Sequence, residues 1–183
     1  MCIRDSPDIV ISGGDLVDFY GDKRDDLVEI LKGLKGDKLA VMGNHEYYVG
    51  PERSRDVHEK IGFRLLLDNC VVRENGLEIC GIDEVLPFKE SLYADKDGHY
   101  RIIVRHRPKL TDVNVKFDLF LAGHTHRGQI LPFRLLTYLY YRGKDYGLFK
   151  MNGYIAYISG GVGTWGLPVR VLSPPEVVVI EIN

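Results

Sequence analysis

Carboxylate, amide and imidazole side chains gather in three short strings of this 183-residue chain: Gly14-Asp15-Leu16-Val17-Asp18, Gly43-Asn44-His45-Glu46 and Gly123-His124-Thr125-His126. Each follows an apolar run, so each donor set is delivered at the end of a buried segment. Oxygen and nitrogen donors in that order suit a dinuclear metal site for phosphate ester chemistry. His124 and His126 are two apart, which in an extended segment puts both imidazoles on one side with backbones about 6.5–7 Å apart. One ring can then serve each of two ions held roughly 3.5–4 Å apart, since histidine reaches a metal at about 2 Å.

Asp15 ends a strand-like run, where a carboxylate is costly to desolvate unless paired or metal-bound, and its two oxygens can bridge two cations. Alone it is also plausible as a helix N-cap, a reading that weakens beside Asn44 and His124. Asn44 offers a neutral oxygen that adds a ligand without lowering the site's positive charge. His106 follows the β-rich run Arg101-Ile102-Ile103-Val104 and precedes Pro108, which puts a further candidate ligand at a strand end. His58, inside a helical pattern, and His99, in a charged turn, read as solvated surface groups.

The elements that must position these donors alternate. Ile9-Val10-Ile11 reads as a buried parallel strand, a helix follows from about Lys23 to Lys32, and Leu39-Ala40-Val41-Met42 is the next strand. That alternation argues for right-handed βαβ units. A helix over Glu52 to Ile61 precedes strands near Leu65-Leu67, Val71-Glu74 and Leu77-Ile82, the last two turned by Asn75-Gly76 as a hairpin. Pro87 to Gly98 reads as a surface loop with a short helix. Strands ending at His106 and His124 follow, so the candidate donors sit just after strand ends, where open α/β sheets bind ligands. Beyond Gly128 the pattern turns aromatic and hairpin-like through Phe149, then Tyr154 to Ile158, a glycine-rich loop and a closing strand over Val177 to Ile182. The expected fold is α/β, two packed mixed β-sheets flanked by helices in a four-layer αββα sandwich, as a single domain over 1–183.

Composition narrows the classes. Apolar residues make up 45% and charged ones 27%, an ordinary globular balance, and the net charge of −2 gives no general pull toward nucleic acid or anionic lipid. No apolar run reaches the length of a membrane span. Cys2, Cys70 and Cys80 show no zinc-type spacing and read as small buried hydrophobes, with a disulfide framework not expected. Met1 to Ser6 has no periodicity and reads as a non-native end, so a natural start further upstream is expected, with the first strand missing here.

Taken together, Gly14-Asp15-x-x-Asp18, Gly43-Asn44-His45-Glu46, His106 and Gly123-His124-x-His126 resemble the motif series of the calcineurin-like metallophosphoesterases. The tail from Gly161 to Arg170, with Pro174-Pro175-Glu176, further resembles a bacterial, often membrane-associated, phosphodiesterase branch, some of whose relatives act on nucleotide-linked lipids. The resemblance implies that Asp15 bridges two divalent ions, that Asn44, His106 and His124 complete one of them, and that His126 belongs to the other. It implies catalytic roles for His45, which stabilises the leaving oxygen, and Asp18, which orients it. A carboxylate on one ring nitrogen would fix the tautomer and raise the basicity of the other.

The family opens with an Asp-x-His that has no counterpart before Asp15, so the second site is expected to be incomplete and this chain weak or inactive. The implied reaction is hydrolysis of a phosphodiester by a metal-bridging hydroxide, with manganese, iron, zinc or cobalt suiting the donors. Arg127 and Arg170, with Gln129, Arg134 and Arg142 nearby, are candidates to hold substrate. The Tyr- and Leu-rich stretch from Phe133 to Phe149 suits either a hairpin on the core or contact with a membrane interface or lipid tail. Expected substrates are therefore phosphodiester small molecules or lipid-linked esters, with a cytoplasmic or peripheral membrane location. The competing readings are a phosphomonoesterase, including a protein phosphatase, and a non-catalytic binding module on the same fold.

Overall fold

Strand register accounts for the arrangement of the core. The computed structural model describes residues 7–18, 25–85, 98–109, 113, 115–151 and 153–182. Strands β1 (Ile9–Ser12), β2 (Asp37–Ala40) and β3 (Arg64–Leu65) form a parallel three-stranded sheet in chain order. Helix α1 (Asp25–Lys32) connects β1 to β2, and α2 (Asn44–Val49) with α3 (Pro51–Lys60) connects β2 to β3. Parallel neighbours require such crossovers, which is why strand and helix alternate here.

A second, six-stranded sheet is mixed. It contains β4 (Asn69–Val72), β5 (Leu77–Ile82), β6 (Tyr100–Arg105), β7 (Leu119–Ala122), β8 (Gly147–Met151) and β9 (Tyr154–Ile158), in the order β4-β5-β6-β7-β9-β8. β5, β6, β7 and β9 run parallel, with antiparallel hairpins β4/β5 and β8/β9 at the edges. Side chains alternate between faces along a strand. Ile79, Ile102, Val104 and Leu119 point to one face and meet Leu39, Val41 and Leu66 from the first sheet. Cys80, Ile103 and Phe120 point the other way and pack with Phe117, Ala156 and Ile158. The outer face of the first sheet is covered by Ile61 and Phe63 with Val28 and Leu31 of α1. Two sheets packed face to face with helices outside them is the expected architecture.

The structure departs from the sequence expectations in several places. The Phe133 to Phe149 stretch is not a hairpin: Phe133–Tyr140 forms helix α4, and only Gly147–Met151 enters the sheet as β8. Its Tyr, Phe and Thr content suggests strand, but Pro132 starts a helix in which Leu135, Leu136 and Leu139 fit a helical repeat. Val177 to Ile182 forms no strand, because among the described residues this β-branched run has no partner to pair with. His58 is not a surface group: it is wholly buried on α3 with Nδ1 2.8 Å from Ser54 O, toward which it donates. Cys70 and Cys80 face each other across β4 and β5 and form a disulfide, their Cα atoms 4.0 Å apart. The expected loop over Pro87 to Gly98 lies almost wholly outside the described residues, as do Met1 to Ser6 and the start of the helix expected from Lys23. No helix among the described residues is long and apolar enough to cross a membrane.

Candidate metal centre

Four strand ends converge. β1 leads to Asp15, β2 to Asn44 and His45, β6 to His106, and β7 to His124. The approach is so close that glycine is required at two points. A Cβ on Gly14, at φ +93°, would lie 2.6 Å from His106 Nδ1, and one on Gly43 would lie 2.7 Å from His106 Cε1. These glycines let the loops carrying Asp15 and Asn44 press against the His106 ring.

His106 sits at the centre. Its ring is buried, and Nδ1 donates to Gly13 O at 2.8 Å, which leaves Nε2 aimed inward. Around Nε2 lie Asp15 Oδ2 at 3.1 Å, Asn44 Oδ1 at 3.2 Å and His124 Nδ1 at 3.0 Å. A carboxylate, an amide oxygen and two ring nitrogens therefore face one another, a set of lone pairs that attracts either a proton or a cation. Asp15, His106 and His124 also place their ligand atoms within 4.8 Å of one another.

The electrostatics follow from the same crowding. Burial acts most strongly on His106 and favours its neutral form, but the Asp15 hydrogen bond and charge outweigh it and raise its pKa above the usual histidine value. Burial likewise pushes the Asp15 carboxyl up, yet His106 and the His45 backbone N–H bring it below the usual carboxylate range. Burial, then the charges of His106 and Arg107, push His124 down to about 3, so its ring is neutral at any ordinary pH. The donor chemistry fits a divalent cation: two imidazoles, one carboxylate and one amide oxygen.

Backbone strain marks the same places. Asp15 (φ 57°), His124 (φ 68°), His126 (φ 48°) and Arg127 (φ 51°) all adopt the left-handed region that non-glycine residues avoid. Such conformations cost on the order of 1–3 kcal/mol each and persist only where surrounding contacts hold them.

Glu46 supplies those contacts for Asp15, a role that sequence reasoning did not assign. Its carboxylate is wholly buried and accepts four backbone N–H groups: Gly43 at 2.8 Å, Asp15 at 2.9 Å, Leu16 at 2.7 Å and Val17 at 3.0 Å. One side chain thus ties the loop after β1 to the start of α2. The signal was present in the sequence, since a Glu three residues after Gly43 is the N3 position of a helix start.

The remaining candidates divide. His45 Nδ1 lies 3.1 Å from Asp18 Oδ1, and the His45 backbone N–H donates to Asp15 Oδ1 at 2.9 Å, so this pair is attached to the centre. His126 stands apart from the cluster. Its Nδ1 is 3.1 Å from Arg170 Nη2 and 3.3 Å from Gly163 O, and burial together with the Arg170 charge lowers its pKa. Arg170 is engaged by backbone: it donates to Gly160 O at 2.8 Å, to Ser173 O at 3.3 Å and closely to Gly163 O. Gln129 is engaged too, its amide bonded to Trp165 O, Leu167 O and Trp165 N. Both side chains anchor the loop after β9 instead of presenting free groups. Arg127 stacks on Tyr146, its Cζ 4.3 Å from the ring centroid.

Residues 2–128 match the model of the calcineurin-like phosphoesterase family. The chain belongs to that family. An uncharacterized metallophosphoesterase of Aquifex aeolicus is 36% identical to it over 98% of this chain and 74% of its own length. One from Helicobacter pylori is 35% identical over 96% of this chain, and there the chain spans about half, 51%, of the relative. At 26% identity, a zebrafish relative bears the name transmembrane protein with metallophosphoesterase domain, of which the chain covers 46%. No solved structure matches the chain. Metallophosphoesterase membership assigns metal-dependent phosphoester hydrolysis as the chemistry, with divalent metal ions as cofactors.

Proposed function

We propose that this metallophosphoesterase hydrolyses phosphodiesters, and that Asp15, Asn44, His106 and His124 together hold one divalent cation. The single observation that carries the reading is the convergence of three atoms with lone pairs, Asp15 Oδ2, Asn44 Oδ1 and His124 Nδ1, on His106 Nε2, 3.0–3.2 Å from it. A cation bound there supplies Lewis acidity toward a phosphoryl oxygen and makes water easier to deprotonate.

The chain's own side chains do the rest. His106 and His124 remain neutral donors once the proton on His106 is displaced, and the Nδ1–H bond to Gly13 keeps the His106 ring aimed inward. Asp15 would be the carboxylate donor to the cation, with its Oδ1 held by the His45 N–H. His45 is the group placed to stabilise the departing ester oxygen, and Asp18, on its Nδ1, fixes the ring orientation.

Charge supports a diester over a monoester. Arg170 spends its donors on backbone and on His126, so it has none to offer the second negative charge of a monoester. For a second cation, Asp15 and His126 are the only donors that the carried-over motifs supply, below the usual ligand count. We therefore expect one strongly held ion and weak turnover, with manganese, iron, zinc and cobalt all suited to the donors. Lipid-linked diesters and a peripheral membrane contact remain part of the proposal, supported by the exposed Leu135, Leu136 and Leu139 of α4.

The test is hydrolysis of bis(p-nitrophenyl) phosphate against p-nitrophenyl phosphate, with each ion added to metal-stripped protein. Faster release from the diester supports the reading. Faster release from the monoester would make the chain a phosphomonoesterase, and turnover of neither ester would leave a binding module.

A further inference from the structure

Arg127, helix α4 and the segment from Gly143 to Tyr146 line an open groove of about 440 Å³, within the range that holds small organic ligands. Its lining is divided by chemistry. Arg127 and Arg134 supply two guanidinium groups, while Leu131, Leu135, Tyr138 and Tyr146 supply apolar and aromatic surface.

The guanidinium groups are not consumed by the fold. Arg127 Nε is buried and has no hydrogen-bond partner, although its Cζ lies over the Tyr146 ring at 4.3 Å. Because Nε is sealed off, the terminal nitrogens of Arg127, which make no hydrogen bond among the described residues, are the ones placed to meet a ligand oxygen. Arg134 forms no ion pair with a carboxylate among the described residues. One acid, Asp145, also lines the groove; it is buried with the Thr137 hydroxyl 3.2 Å from Oδ2, so two positive charges face one negative charge. Leu131 and Leu135 are each 57% exposed and Tyr138 55%, so the apolar wall is open to a ligand body.

We propose that this groove binds an organic anion with an apolar body, Arg127 and Arg134 taking the acid group and Leu131, Leu135 and Tyr138 covering the body. Arg127 lies three residues after His124 in the same turn, so the groove begins on the segment that carries a candidate ligand. The groove is then the place for the non-reacting part of the substrate, a diester whose alcohol carries a second acid group; this clause rests on the hydrolase reading. Two guanidinium groups can share one sulfonate, carboxylate or phosphate in the fork geometry that arginine favours.

The probe is 1-anilinonaphthalene-8-sulfonate, titrated by fluorescence into the metal-stripped protein, where no turnover is involved. Saturable binding is expected, weakened at least tenfold by Arg134→Gln and by Arg127→Gln, with circular dichroism checking that each variant is folded. The same aromatic body without its sulfonate, N-phenyl-1-naphthylamine, should bind at least tenfold more weakly. Binding of the sulfonate within threefold of wild type in a folded Arg134→Gln protein, or within threefold of the neutral body, would overturn the site. In turnover of bis(p-nitrophenyl) phosphate the probe should raise KM and spare kcat. A fall in kcat at unchanged KM would overturn the substrate assignment alone, because the binding titration does not depend on hydrolysis.

Discussion

The candidate metal centre and helix α4 follow opposite physical rules. At the centre, polar groups are buried and almost every one is answered: Glu46 accepts four backbone N–H groups, and His106 is bonded on both nitrogens. On α4 the reverse holds. No residue of the helix is buried, and Leu135, Leu136, Leu139 and Tyr140 are exposed by 57%, 57%, 62% and 75%. The first region uses folding energy to hold donors in strained backbone, whereas the second leaves apolar surface uncovered. Strain that is paid for by burial marks chemistry, and uncovered apolar surface marks contact with something else.

The largest effect that would sharpen this contrast is at Glu46. In Glu46→Gln an amide NH2 must face backbone N–H donors inside a sealed site. A loss on the order of 3 kcal/mol is expected from the charge-assisted bonds involved. For a chain of this size that lowers Tm by about 6–12 °C in a thermal melt. An unchanged melt would show that the loop after β1 is held by other contacts.

His45→Ala should act on rate instead of structure. On the proposed role, diester turnover falls about 100-fold. Cation affinity should stay within about threefold, because His45 donates no ligand atom to the centre. Equal losses in both quantities would make His45 part of the metal site.

The pH dependence comes next. His106 has a raised pKa and His124 one near 3, so a cation displaces about one proton, that of His106. Affinity should rise about tenfold per pH unit below the His106 pKa and level off above it, as read by calorimetry in buffers of different ionisation enthalpy. Stability of the metal-free chain carries two signs. The raised His106 stabilises the fold below the unfolded histidine value of 6.5, and that contribution is lost as pH rises through its folded pKa. The depressed His124 destabilises it as pH falls from 6.5 toward 3, because only the unfolded chain takes up that proton.

The smallest effect is expected on α4. Leu139 is 62% exposed, so Leu139→Ser should change stability by less than about 0.5 kcal/mol in urea unfolding. A large loss would mean that the helix face is covered in solution.

How far the sequence could be read follows the same division. Asp15, Asn44, His106 and His124 were legible because each stands just after an apolar run, and parallel strands deliver their ends to one edge of the molecule. The Asn75-Gly76 hairpin was legible from its turn chemistry. Its register was not: a two-residue Asn75-Gly76 turn would set Cys70 opposite Gly81, whereas the turn is centred on Asn75 and sets Cys70 opposite Cys80, where the disulfide forms. Helix α4 was hidden because aromatic and β-branched residues satisfy a strand pattern as easily as a helical one over eight positions. The commitments of Arg170 and Gln129 were hidden for another reason. Each bonds to backbone more than 30 residues away or across an irregular loop, and composition carries no trace of such pairs.

The most direct test of the account is a calorimetric titration of Mn²⁺ into metal-stripped wild-type protein and into His124→Ala. Wild type should take up a cation at one strong site. The substitution should weaken that site by about 100-fold or more while the far-ultraviolet circular dichroism is unchanged. Equal affinity in a folded His124→Ala protein would contradict the convergence of Asp15, Asn44, His106 and His124 on a single ion.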